Sequence, residues 1–519
     1  MSWERVIAEL PKAYPGPGGA VAVLRDGETL ARHAWGWANC ERRIAFSPNT
    51  LFRMCSITKQ FTSALALEAF PDLGALDGDV RARMPRLEAA APSALHLAHN
   101  QSGLRDYWAL AMLMGSPAEA PFGDTEAERI VASTRTLQFA PGARYSYCNQ
   151  NFRILSDVLQ TRAGRSFAEL LRKKLFDRAG MATALLASDT RALPDGAEGY
   201  EGNPVIGFRP AVNRIHWTGD AGLAASLDDM IAWERFIDAT RDDEASPYRK
   251  LCAPVSFADG ATAAYGFGLA RRVEFGRLVT GHGGALRGWR SHRLYVPSER
   301  ISVVVMFNHL SDAQAAAFEV LAALLGEPRS RPDATLAAPD WLGAYIEPET
   351  GLAARIERAG DGEVVLRFGH AAERLPLQAD GSAGREATRL RRAADGLWMD
   401  RPGENQSSRL TPVSGTPSLD VAGVYRCDAL DAELTVADAG GVLYGAFSGP
   451  LGQSRMELLI PVADDLCALP CPRALDHTPP GDWTLAFARD AQGRVSGATV
   501  GCWLARGLRY ARVSQGALS

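Results

Sequence analysis

The sequence predicts a multidomain α/β plus all-β protein: one mixed α/β domain followed by two small antiparallel β-barrels. Three observations predict it. The chain has 519 residues, too many for one core and enough for two or three domains. Up to about residue 325 helical periodicity alternates with strand-like runs, and beyond it short alternating runs dominate. Within that second part, two stretches resemble each other at a spacing of 80 residues.

The elements follow in order. Residues 18–34 read as a hairpin around Asp26-Gly27. From Thr58 to Glu68 the pattern turns helical, and further helices are expected at 126–135, 152–163, 166–178 and 228–240. Strands return at 264–273 and 299–308, and a last helix fits 312–325. Strands at both ends with helices between them imply that both ends of this domain enter one antiparallel sheet. The stretch 327–333 has two prolines and no apolar residue and reads as a linker. Trp341, Gly343 and Tyr345 then match Val421, Gly423 and Tyr425, each set followed by a short alternating run and a Gly-rich turn. Two copies make two similar β modules, each with room for about eight short strands, whereas a solenoid needs at least three repeats. The expected domains are 1–330, 331–417 and 418–519.

Composition narrows the function. Hydrophobic residues make up 46%, charged residues 22%, and the net charge is −4, with no long basic or acidic run. Nothing here favours nucleic acid or an anionic membrane as a partner. Met1–Arg5 lacks an apolar leader core and no stretch of about 18 apolar residues occurs, so a cytoplasmic protein is expected. The eight cysteines form no CxxC pair and no zinc pattern; they are expected to be reduced and mostly buried, and no metal or cofactor is expected. Cys55, beside Ser56, is expected to be a site of thiol-reagent inhibition. Of 56 basic residues only Lys12, Lys59, Lys173, Lys174 and Lys250 are lysine.

Three motifs carry chemistry. Ser56-Ile57-Thr58-Lys59 opens the first long helix, so the hydroxyl and the amine share a face. Serine needs a base to become a nucleophile, and a lysine serves if burial lowers its pKa. In a chain this rich in arginine, a lysine marks a place where an undeprotonatable guanidinium would not do. Tyr147-Cys148-Asn149 sits on a loop where a phenol and a carboxamide can both face a cleft. His282-Gly283-Gly284-Ala285 lies between strand-like runs, and its glycines let a substrate backbone approach closely. Taken singly, a chance SxxK match, an aromatic loop and a plain turn are the commoner explanations.

In this order and at these spacings the three motifs resemble those of the serine β-lactamase and penicillin-binding family, nearest its class C-like branch. Residues 17–23, 100–104, 219–226 and 265–268 add to the resemblance, which covers residues 1 to about 325. The whole chain, including NQSGLRDYWAL and the C-terminal GCWLARG, is similar to the D-aminopeptidases of this family. The resemblance implies that Ser56 attacks, Lys59 takes its proton, Tyr147 relays it to the leaving amine, and Asn149 orients substrate or Lys59. It implies an oxyanion hole made by the N–H groups of Ser56 and Ala285, and a catalytic role for His282, which stands where many relatives have lysine. It also implies a homodimer, short peptides with an N-terminal D-residue as substrates, and β-lactams as inhibitors.

An aminopeptidase needs an acid for the substrate ammonium, and the proline-stiffened loop 475–482 offers Asp476. Its ordinary alternative is a hairpin turn between barrel strands. Asp106, Glu201 and Asp220 are expected to be structural or solvated, and His99 and His216 to pack or hydrogen-bond. The competing functions are an esterase or β-lactamase/DD-peptidase on the same scaffold, and a non-catalytic ligand-binding or sensor protein.

Overall fold

The computed structural model describes residues 2–513 except 328–335, 338, 361, 386 and 477–479. Most of the expected linker therefore lies outside the described residues. Eight antiparallel strands make the sheet of the first domain, in the spatial order Tyr265–Gly266, Leu269–Glu274, Arg277–Leu286, Trp289–Val296, Ile301–Phe307, Gly18–Arg25, Glu28–Asn39 and Ile44–Ala45. Both ends of the domain thus meet in one sheet, with Val21 opposite Val305. The predicted hairpin turns through Asp26 and Gly27, both at positive φ as a type I′ turn requires.

Alternation along the paired strands Ile301–Phe307 and Gly18–Arg25 builds two cores. Val21, Val23, Val303 and Val305 face the terminal helices Trp3–Ala13 and Ala313–Leu325. Ala20, Ala22, Val304 and Met306 face the remaining helices, among them Thr58–Ala69, Asn149–Ala163 and Leu227–Ala239. Each fully buried valine contributes roughly 1.5–3 kcal/mol by leaving water, so this layering dominates the stability of the domain.

Residues 264–273, expected as one strand, form two. Phe267 and Gly268 both adopt positive φ, and the chain folds back so that Tyr265 pairs with Ala270. A Cβ at position 268 would lie 2.4 Å from the Lys59 carbonyl carbon, so only glycine lets this turn rest on the helix carrying the lysine.

The two later sheets are antiparallel and strongly curved, one into a nearly closed barrel and the other into a half-barrel. The first has eight strands, from Gly343–Glu347 to Gln406–Val413, and its edges join at a single bridge between Leu377 and Ala383. The second has ten strands and is the more nearly closed barrel: residues 457–458 pair with Leu443–Gly449 and residues 460–463 with Leu466–Leu469. The repeat is structural. Tyr345 donates its phenol to the carbonyl of Trp341 at 2.7 Å, and Tyr425 to that of Val421 at 2.5 Å. Gly343 pairs with Ile356 and Gly423 with Val436, thirteen residues on in each copy.

Backbone bonds dock the barrels on the first domain. The Tyr145 N–H donates to Glu404 and the Asp106 N–H to Leu504, while Leu451 donates to Met114. At Gly115 a Cβ would fall 2.1 Å from the Gly452 carbonyl oxygen, so the two backbones touch. Among the described residues no helix is long and apolar enough to cross a membrane.

Candidate active site

Ser56 lies in a single 3-10 turn, Cys55–Ile57, that runs directly into the Thr58–Ala69 helix. The spacing of three puts the Lys59 amine on the same face, and Nζ donates to Ser56 Oγ at 3.0 Å. Cys55 holds a φ of +51°, a left-handed conformation that costs a non-glycine residue roughly 1–3 kcal/mol. The thiol is fully buried and donates to the Arg53 carbonyl, and burial pushes its pKa to about 12. This overturns the expectation of a reactive thiol: a protonated, enclosed sulfur offers a reagent no thiolate.

Lys59 is entirely enclosed, and burial draws its amine from 10.5 down to about 8 against the pull of Asp220 and Asp106. Besides Ser56, Nζ donates to Asn149 Oδ1 at 2.8 Å and to the Asp220 carbonyl at 2.7 Å. The Asn149 amide is oriented by its Nδ2, which donates to Asp106 Oδ2 at 3.0 Å. Two of the three partners of Nζ can therefore only accept. A neutral amine spends its two protons on them and turns its lone pair to Ser56, the arrangement a base requires.

Tyr147 also donates to Ser56 Oγ, at 2.8 Å, and burial raises its phenol far above 10, so it keeps its proton. Asn149 is the first residue of its helix, three residues earlier than the sequence pattern suggested, and its N–H is bound by Asp106 at 2.6 Å. His282 lies 2.6 Å through Nδ1 from the Gly283 carbonyl, which can only accept, so the proton sits on Nδ1. Nε2 then accepts from Tyr265 at 3.1 Å. Burial, with Lys59 beside it, lowers His282 to about 3, so the ring is neutral and carries no charge for a substrate carboxylate.

The Arg277–Leu286 strand pairs with Leu269–Glu274 only as far as Gly281 opposite Ala270. From His282 to Leu286 that edge has no partner strand among the described residues, so a peptide can lie along it. Gly284 is required there: a Cβ would sit 2.1 Å from the Met54 carbonyl oxygen, next to the nucleophile turn.

A cavity of about 440 Å³ opens over Ser56, lined by Tyr147, Asn149, His282, Gly283, Gly284 and Ala285. Asp476, from the second barrel, lines it too: its loop joins two paired strands of that barrel, Leu466–Leu469 and Trp483–Arg489, and also reaches the cavity. Asp476 is only 8% exposed, and its Oδ1 has no hydrogen-bond partner among the described residues. Burial, then the nearby Asp106, lifts this carboxyl to about 8. Residues 477–479 of the loop lie outside the described residues.

The remaining acids and histidines have other partners. Asp106 is enclosed around Asn149 and caps the Tyr107–Leu113 helix. Asp220 accepts from Tyr107 at 2.5 Å, and Glu201 pairs with Arg473. His99 packs edge-on against Phe267, and His216 bonds Asp124. Sequence reasoning missed Tyr265, the partner of His282, and Trp503, which reaches the cavity from the second barrel. The GCWLARG segment was the only signal for Trp503. Among the described residues no cluster of His, Cys, Asp or Glu is arranged to hold a metal ion.

A buried lysine aimed at a serine on the same helical face, a phenol donating to the same hydroxyl and an open sheet edge define a serine hydrolase of the β-lactamase type. Comparison with known proteins agrees. Residues 3–326 match the family model described as Beta-lactamase, and residues 334–511 match the one described as D-aminopeptidase, domain B. A D-aminopeptidase of Gluconobacter oxydans (strain 621H) is 59% identical over 98% of both chains, and one of Brucella melitensis biotype 2 is 47% identical over 98% of both. The octameric penicillin-binding protein homologue from Pyrococcus abyssi shares the fold, with a TM-score of 0.54 and 19% identity over 87% of this chain and 98% of that one. The chain belongs to the D-aminopeptidase family.

Proposed function

We propose that this protein is a D-stereospecific aminopeptidase that releases the N-terminal residue of short D-amino-acid peptides, amides and esters through an acyl-enzyme on Ser56. Lys59 takes the serine proton as Oγ bonds to the substrate carbonyl carbon. The N–H groups of Ser56 and Ala285 hold the oxyanion. The C–N bond then breaks as the leaving nitrogen takes a proton from Tyr147, and water releases the acyl group by the reverse relay. Gly283 and Gly284 give the substrate backbone its place on the strand edge, and the neutral His282 fixes Tyr265 beside it. The domains 1–330, 331–417 and 418–519, a homodimeric state, a cytoplasmic site of action and acylation by β-lactams belong to the same proposal.

One observation carries the aminopeptidase reading over an esterase or β-lactamase: Asp476, whose buried Oδ1 has no hydrogen-bond partner among the described residues, lines the same cavity as Ser56. An uncompensated buried carboxyl is costly on its own, and a substrate ammonium supplies the missing charge. Asp476→Asn should lower kcat/KM for D-alanine p-nitroanilide by about 100-fold or more, since a charged hydrogen-bonded pair is lost. N-acetyl-D-alanine p-nitrophenyl ester should lose less than threefold. Assaying both, with the L-anilide and a penicillin alongside, checks the assignment. Equal losses on anilide and ester would remove Asp476 from the site, and activity confined to the ester would end the aminopeptidase reading.

A further inference from the structure

The loop bearing Asp476 is tied to the catalytic strand by Arg287. This residue follows Ala285 by two, in the turn from Arg277–Leu286 to Trp289–Val296. It is 1% exposed, and among the described residues its guanidinium meets no carboxylate at hydrogen-bond distance. It donates instead to three backbone carbonyls: those of Ala118 and Val212 in the first domain, and that of Ala474 in the loop at 3.4 Å. The Arg287 N–H donates to the Asp476 carbonyl at 3.2 Å, and the Arg287 carbonyl accepts from Asn213 Nδ2 at 3.0 Å. Outside this junction Arg473, adjacent to Ala474, bridges Glu119 at 2.7 Å and Glu201 at 2.9 Å, both in the first domain. The loop is therefore held from within by a planar fork and from without by two ion pairs.

The consequence is a fixed span. In an N-terminal residue, one Cα separates the ammonium from the scissile carbonyl. A site selects that unit only if its ammonium anchor and its carbonyl-binding strand stand at a set separation. Here the strand continues from Ala285 into Arg287, and Arg287 grips the loop on both sides of Leu475. A guanidinium serves several carbonyls in one plane, which an ammonium on a flexible stem does not reproduce.

We infer that Arg287 is a positioning residue that sets the distance between the Asp476 carboxylate and the reacting carbonyl, so that a single residue fits between them. The inference rests on the reading of Asp476 given above. Displacing a positioned group by about 1 Å costs on the order of 100-fold, so even a small loosening of the loop is measurable.

Arg287→Gln and Arg287→Lys test it with the two substrates already named and with the 3-aminopropanoyl anilide, whose ammonium stands one methylene farther out. Both variants should raise KM for the D-alanine anilide at least tenfold and leave kcat/KM on the acetylated ester within twofold. Preference for the D-alanine anilide over the 3-aminopropanoyl anilide should shrink at least fivefold. In an Asp476→Asn background, Arg287→Gln should add less than a twofold loss. Arg473→Gln loosens the loop from its exposed side without opening the buried junction, and should raise the anilide KM about threefold even if the Arg287 variants fail to fold. Equal losses on anilide and ester, or losses that multiply in the double variant, overturn the inference. So does an unchanged anilide KM in Arg473→Gln while Asp476→Asn remains amine-selective. An Asp476→Asn variant without amine selectivity instead removes the reading on which the inference stands.

Discussion

Replacing Lys59 by arginine should lower kcat on D-alanine p-nitroanilide by about 1000-fold or more while the protein still folds. The reason is the proton, not the charge. At pH 7 an amine with a pKa of about 8 is neutral in about one molecule in ten, whereas one left at 10.5 would be neutral in about one in three thousand. Burial thus enlarges the reactive fraction about 300-fold. A guanidinium, with a pKa above about 12, has no comparable neutral fraction, so the side chain of a Lys59→Arg variant could fill the site but not accept the serine proton. The same burial sets the sign of the pH dependence. The working form of Lys59 is the neutral one, and its pKa is lowered, so activity is lost as pH falls through about 8. Asp476 must be ionised to hold an ammonium and, in the empty site, also titrates near 8, so kcat/KM for the anilide should rise between pH 7 and 8. The substrate α-amine loses its own proton near 8, so the profile should turn over just above. Stopped-time assays from pH 6 to 10 check this. A Lys59→Arg enzyme within tenfold of the native rate, or activity rising below pH 7, would contradict Lys59 as the base.

The second large effect concerns Tyr147. Its phenol donates to Ser56 Oγ and is held protonated, so it is placed to pass a proton to a leaving amine but has little to offer a leaving group that departs unaided. Tyr147→Phe should therefore lower kcat for an amide or anilide by about 100- to 1000-fold and for a p-nitrophenyl ester by less than tenfold. A loss of equal size on both would leave Tyr147 with a part in orienting Ser56 only.

Much of this was legible in the sequence because it depends on short spacings. SxxK puts two groups on one helical face whatever surrounds them, and Asp26-Gly27 calls for a type I′ turn from its own backbone preferences. The tyrosine repeat was visible because each phenol reaches only four residues back. What escaped depends on contacts between segments distant in sequence. Phe267 breaks a strand that local alternation would continue, because Gly268 has to rest on the Lys59 backbone. Asp106 reads as a structural or solvated acid until the fold sets Asn149 against it, 43 residues on. Arg287 looks like one arginine among many, since its partners are backbone carbonyls from three separate segments. Asp476 came out of the chemistry an aminopeptidase needs, but its position in the cavity depends on how the second barrel docks on the first domain.

The central claim is a covalent bond to one hydroxyl. Incubation with a slowly released acyl donor, acid quench and peptide mass spectrometry measures it directly. The expected result is one acyl mass on the peptide containing Ser56, absent from Ser56→Ala, whose hydrolysis falls to background. A label on another residue, or hydrolysis by Ser56→Ala at the native rate, would contradict it.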